Sequence, residues 1–220
     1  MGIFLVFDLD ETIVASSDKE IIRYKGPKND PDFKKIVYSK INTYIIDILV
    51  RAIKLKGKGV DMIVLLTNNS DEEYISIVDE ILASMVGIDD KTVFDYRMTM
   101  NDPSRHSATK SLHDVKYILK ELKSSLRLTY KDDKEILSRT YFFDNMVNHV
   151  LQDELSKSGY ADHYILIEQP LSTKEVGHKR MEYDPIFKTL KELEKKAKPR
   201  VMTLKKRKTR RVNRKNANRK

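Results

Sequence analysis

The chain has 220 residues, 40% hydrophobic and 34% charged, enough to bury one core of ordinary domain size. It contains no cysteine, which excludes disulfides, thiolate zinc sites and a thiol nucleophile, and suits a reducing compartment. The formal net charge of +9 is uneven: residues 195–220 hold 14 of the 42 Lys and Arg and no acid, leaving 28 basic against 33 acidic side chains in the first 194 residues.

No apolar run approaches the roughly 20 residues of a membrane span, and the first residues are too few and too acidic for a signal peptide. An intracellular soluble protein is expected. Ile3 to Phe7 form an unbroken apolar run, rich in β-branched and aromatic types, that reads as a strand buried on both faces. It runs directly into Asp8, Asp10, Glu11 and Thr12. Residues 15–36 are polar and hold the turn-forming cluster "KGPKNDPD". Residues 37–56 place Val37, Ile41, Ile45, Ile48, Leu49, Ala52 and Ile53 at helical spacing and close at Gly57 and Gly59.

"VDMIVLLTNN" predicts a second buried strand. The helix of "SDEEYISIVDEILASMVG" is framed by Ser70 and Glu73 in capping-box spacing and by Gly87. Residues 88–108 read as irregular or short-stranded. Leu112, Val115, Ile118, Leu119 and Leu122 mark an amphipathic helix from Ser111 to about Leu126. "TYFFDNM" reads as a third strand, "MVNHVLQDELSKSG" as a helix, "DHYILIEQP" as a fourth strand and "DPIFKTLKELEKK" as a last helix. Alternating strands and helices predict an α/β fold, a doubly wound, mostly parallel sheet occupying residues 1–194. Residues 195–220 form a basic tail expected to be disordered on its own.

In open parallel sheets, ligands bind at the carboxyl ends of the strands. Three proposed strands end there in polar residues: Asp8 with Asp10, Thr67 with Asn68, and Asp144 with Asn145. Residues two apart on extended backbone point to one side, roughly 6.6 Å apart, so one phosphoryl group fits between two such carboxylates. Asp8 can attack phosphorus while Asp10 protonates the leaving oxygen and later deprotonates water. The crowded negative charge calls for a hard cation, Mg²⁺, with Asp144 and Asn145 as ligands of the right type. Lys110 is the cation placed to join them, with Arg105 its nearest rival. The histidines, among them His106, His113 and His149, show no spacing for a shared metal.

"FDLDETIV", "LLTNNS", Lys110 and "FFDNM" fall in the order and spacing of the four motifs of the haloacid dehalogenase phosphatase superfamily, which the chain resembles over roughly residues 3–193. It looks most like the small C-terminal-domain phosphatases, which act on Ser and Thr of the RNA polymerase II tail. "FDLDETIVASS" matches that branch, as do Phe94, Arg97 and the Lys110 of "TKSLHDV", which has Ser111 where that branch usually has an acidic residue. The resemblance implies that Asp8 is the nucleophile and a Mg²⁺ ligand, and that Asp10 is the general acid/base, binding metal through its carbonyl. It implies that Thr67 holds phosphoryl oxygens, that Lys110 neutralises the nucleophile–phosphate pair, and that Asp144 and Asn145 complete the metal site. It further implies that Thr12 braces the first loop, and Asn68 is expected to accompany Thr67 in the substrate-binding set.

"LLTNNS" departs from the Thr-Ala-Ser pattern of that branch and looks like the motif of small-molecule phosphatases. Roughly 43 residues separate Thr67 from Lys110, room for an embellishment rather than a large cap. The expected activity is a Mg²⁺-dependent phosphatase acting on phosphoserine or phosphothreonine in proteins. Two alternatives stay open: a phosphatase for nucleotides or nucleic-acid 3′-phosphates, and a non-catalytic scaffold that binds nucleic acid or a partner. "KKRKTRR" in the tail suggests nuclear targeting or non-specific nucleic-acid contact, with no aromatic residue there to stack on bases.

Overall fold

In the computed structural model, which describes residues 2–90, 92–105, 107–167 and 185–197, five parallel strands form one sheet in the order β3-β2-β1-β4-β5. The strands are β1 (Ile3–Phe7), β2 (Val60–Leu66), β3 (Tyr96–Met98), β4 (Thr140–Asp144) and β5 (Tyr164–Leu166). The unbroken apolar run becomes the central strand, paired to β2 on one side and β4 on the other, and all its residues are buried. Side chains alternate between the faces. Leu5 and Phe7 join Ile63, Leu65 and Phe143 in one cluster, while Phe4 and Val6 join Met62, Val64 and Phe142 in the other. The Phe7 and Phe143 rings stack at 4.4 Å.

Eight α-helices among the described residues cover both faces: α1 (Lys19–Arg23), α2 (Pro31–Ser39), α3 (Thr43–Lys54), α4 (Glu72–Val86), α5 (Leu112–Leu122), α6 (Asp133–Arg139), α7 (His149–Ser158) and α8 (Pro185–Ala197). Helices α2, α3, α4 and α8 bury Val37, Ile45, Ile48, Val78, Ile186 and Leu190 on one face. Helices α5, α6 and α7 bury Val115, Leu119, Ile136, Leu151 and Leu155 on the other. The expected doubly wound α/β fold is therefore present. The chain steps from β1 outward to β2 and β3, then returns to place β4 on the opposite side of β1. That reversal opens a crevice at the carboxyl ends of β1 and β4, the position where such sheets hold ligands.

The structure departs from the expected elements in ways that have local causes. The polar stretch 15–36 contains α1 and the start of α2, because Asp18 and Asp30, residues that also favour turns, act as N-caps. The helix expected over 37–56 is two helices parted at Lys40–Asn42. The Asn42 side chain accepts the Tyr44 N–H to start α3 and donates to the Thr12 carbonyl at 3.0 Å, which ties the break to the loop after β1. Helix α4 is capped by Asp71, whose carboxylate accepts the Tyr74 N–H, and not by Ser70. Capping-box spacing is used by α5 instead, where Asp114 accepts the Ser111 N–H at 2.8 Å. That helix stops at Leu122, and α6 follows where no element was expected. Strand β5 is shorter than expected, Ala161–His163 being a 3₁₀ turn, and the Glu168–Pro170 end of that prediction lies outside the described residues. Helix α8 continues to Ala197; the remainder of the basic segment, with the expected disorder, also lies outside them. No described helix is long and apolar enough to cross a membrane.

Candidate active site

Strand β1 delivers Asp8 to the crevice, its N–H still bonded to the Phe143 carbonyl of β4 at 2.9 Å. Strand β4 ends in Asp144 beside it. Lys110, immediately before α5, reaches across with its ammonium 2.7 Å from Asp8 Oδ1 and 2.7 Å from Asp144 Oδ2. All three side chains are more than nine-tenths buried. Two carboxylates thus share one cation away from water, and an excess of negative charge remains. Burial is the main influence on Asp8 and pushes its carboxyl up to about 6; Lys110 opposes the rise and Asp144 adds to it. Thr12, fully buried, donates its hydroxyl to Asp8 Oδ2 at 3.4 Å.

Asp8, Asp10, Asn68, Lys110, Asp144 and Asn145 line one cavity of about 580 Å³. Six of the eight residues singled out from the sequence therefore share it. Thr12 and Thr67 stand behind it: Thr12 supports Asp8, and Thr67 is fully buried, its hydroxyl accepting the Asn69 N–H at 3.1 Å. Arg105, the rival cation, does not reach Asp8 in the hydrogen-bond network. Its guanidinium donates to Asn68 Oδ1 at 2.7 Å and to the Ser107 carbonyl at 3.0 Å, and so joins the loop after β2 to the approach to Lys110.

Comparison of the chain with protein-family models, curated proteins and solved structures finds no match.

Sequence reasoning passed over four contributors. Asn69 donates its amide to both carboxylate oxygens of Asp10, at 3.1 and 3.0 Å, and accepts the Asp71 N–H at 2.8 Å. Asn148 donates to the Lys110 carbonyl at 2.9 Å while its own oxygen accepts the Leu151 N–H and caps α7. The helix-start position of Asn148 was the available signal; its second bond spans 38 residues and leaves no local trace. Glu11 and His149 also line the cavity. Glu11 adopts a left-handed backbone conformation, φ 59°, at the tip of the loop that presents Asp10.

The donor set fits a hard divalent cation. Asp8, Asp10, Asp144 and Asn145 offer oxygen as the ligating atom, and Asp8 and Asp144 share a single lysine between two carboxylates. Among the described residues no group of three or more acidic or histidine side chains is placed to hold a metal ion. A cation here would use two carboxylates and complete its shell from water, backbone and substrate, the habit of Mg²⁺.

Proposed function

We propose that this chain is a Mg²⁺-dependent phosphomonoesterase of the haloacid dehalogenase type, working through an aspartyl-phosphate on Asp8 and acting on phosphoserine or phosphothreonine in proteins. The observation that carries the proposal is the Lys110 bridge between Asp8 and Asp144 at the switch point of the sheet, with Asp10 on the same cavity. Asp8 attacks phosphorus; the new P–O bond forms as the ester P–O bond breaks, and Asp10 gives its proton to the departing oxygen. Water then attacks the phosphoryl group, Asp10 takes its proton, and the Asp8 carboxylate is restored as phosphate leaves. Lys110 keeps the nucleophile and the phosphoryl oxygens from repelling one another. Asn69 holds the Asp10 carboxylate in place through both oxygens. Asp8, Asp144 and Asn145 would hold Mg²⁺, which when bound supplies further positive charge against the phosphoryl oxygens.

Hydrolysis of p-nitrophenyl phosphate with Mg²⁺, and its loss in EDTA, tests the reaction. Asp8→Asn should lose at least about 10³-fold in kcat, since it removes the nucleophile itself. Turnover by that variant near the wild-type rate, or no turnover of any phosphomonoester by the wild type, overturns the proposal. The basic segment beyond Ala197 supports a nuclear location; a chain cut there that localises unchanged would remove that part.

A further inference from the structure

The wall of the cavity beyond the carboxylates is apolar and open. Met146, Val147 and Val150 line it and are 68%, 51% and 45% exposed. Other exposed large apolar side chains, such as Ile22 and Met100, sit on separate elements, so this is the place where apolar surface and the candidate chemistry coincide. Contiguous exposed apolar surface beside a cavity marks recognition more often than chance. The segment is also held in register with the catalytic groups. The Met146 N–H donates to Asp144 Oδ1 at 2.9 Å, Tyr164 donates to the Met146 carbonyl at 2.6 Å, and Asn148 anchors to Lys110. A group resting on the wall lies at a set position relative to a phosphoryl group at Asp8.

Charge decides what that group is. Lys110 is the one lysine or arginine among the described residues lining the cavity, and it is already shared by two carboxylates. Asp10 and Glu11 add negative charge to the same lining. A polyanion needs several cations along its track, and a nucleobase needs a flat aromatic face. The described lining offers no Phe, Tyr or Trp, and its one aromatic ring is the small imidazole of His149. A single phosphomonoester on an otherwise uncharged, apolar leaving group suits both features.

Resting on the phosphatase reading above, we infer that Met146, Val147 and Val150 form a specificity subsite that selects phosphoserine or phosphothreonine peptides with an apolar residue next to the phosphorylated one. The cavity volume of about 580 Å³ leaves room for such a side chain beyond the phosphoryl group. An apolar side chain half-buried against the wall gains about tenfold in kcat/KM, which is ~1.4 kcal/mol.

The test uses the full chain and two phosphothreonine peptides that differ only in leucine or aspartate beside the phosphothreonine, with a 3′-phosphorylated oligonucleotide as third substrate. Turnover is measured on the wild type. Binding of the same fluorescently labelled ligands is measured on Asp8→Asn by anisotropy. The leucine peptide should be favoured about tenfold in both. The triple variant Met146→Ser, Val147→Ser, Val150→Ser should bring the ratio close to one, and Ile22→Ser, on α1, should leave it unchanged. Val147→Asp should instead favour a peptide with lysine at the flanking position. Equal handling of the two peptides, a preference that survives the triple variant, or faster turnover of the oligonucleotide overturns the inference. A wall-dependent leucine preference in binding without turnover of any substrate upholds the subsite and defeats the phosphatase reading alone.

Discussion

Replacing Asp8 by asparagine should make the metal-free protein more stable near neutral pH even as it removes the proposed nucleophile. Burial, the largest influence, pushes the Asp8 carboxyl from 3.8 to about 6 in the folded chain, against the pull of Lys110. In the unfolded chain the same carboxyl ionises near its ordinary value. As pH rises through the interval between those two values, the unfolded chain releases its proton first, so stability falls across that window and levels off above it. Below the interval both states are protonated and the cost vanishes. The gap, at about 1.4 kcal/mol per pKa unit, sets an upper bound of roughly 3 kcal/mol. Asparagine keeps the shape and gives Lys110 an amide oxygen but carries no charge to desolvate, so a gain of about 1–3 kcal/mol at pH 7.5 is expected, shrinking toward zero near pH 4. Urea unfolding of both proteins in EDTA at half-unit pH steps measures it. A variant less stable than wild type at pH 7.5, or a difference that does not change with pH, refutes the reasoning: the Lys110 pairing would then outweigh burial. Added Mg²⁺ should cancel most or all of that advantage by stabilising the wild type more than the variant, by up to about 2.7 kcal/mol at a hundred times its Kd.

Lys110→Met leaves Asp8 and Asp144 buried without their shared cation and should cost about 3–5 kcal/mol at pH 7.5 in urea unfolding; a loss under about 1 kcal/mol would mean that the bridge does not hold in solution. Asn69→Ala frees the Asp10 carboxylate and should lower kcat by about 10- to 100-fold on alkyl phosphates, whose leaving oxygen needs a proton. The loss on p-nitrophenyl phosphate should be smaller, and equal losses on both would deny Asn69 a hold on the proposed general acid. Asn148→Asp keeps an oxygen to cap α7 but no amide to donate to the Lys110 carbonyl; kcat should fall while the unfolding midpoint moves by less than the equivalent of about 1 kcal/mol. Unchanged kcat there would remove the clamp from the catalytic account.

The carboxylates were legible because their context conflicts with any purely structural role. A run such as Ile3–Phe7 has no use for Asp8 unless something beyond the strand does, and the same holds for Asp144 after Tyr141–Phe143. Helices with one clean apolar stripe, α5 and α8, were legible for the ordinary reason of periodicity. The break between α2 and α3 was hidden because both helices press apolar residues on the same face of the sheet, so Val37, Ile41 and Ile45 keep one helical phase across it. What interrupts the helix is a bond from Asn42 to a residue 30 positions away. The depth of Thr67 behind the cavity was hidden for a related reason: strand-end position says which crevice a residue approaches, while the turn that its hydroxyl caps decides whether it faces inward.

Asn42, Asn69 and Asn148 share one device. Each lies at or just before the start of a helix, where its side-chain oxygen accepts a backbone N–H: from Tyr44, Asp71 and Leu151 respectively. Each then turns its amide to a loop that carries the candidate chemistry, reaching the Thr12 carbonyl, the Asp10 carboxylate and the Lys110 carbonyl. Serine, threonine and aspartate satisfy a helix start as well as asparagine does, but an ionised aspartate has no donor left, and a hydroxyl holds its donor and acceptor on one atom. Asparagine separates the two functions by the width of an amide. Because the local bond already holds the side chain in one rotamer, the long-range bond orders little that was still free. Helix α3 lies beside the loop after β1, α4 follows β2 and α7 follows β4, so two helix caps, Asn42 and Asn148, and the bond that Asn69 makes to the α4 cap residue Asp71 hold three distant stretches of chain around one cavity.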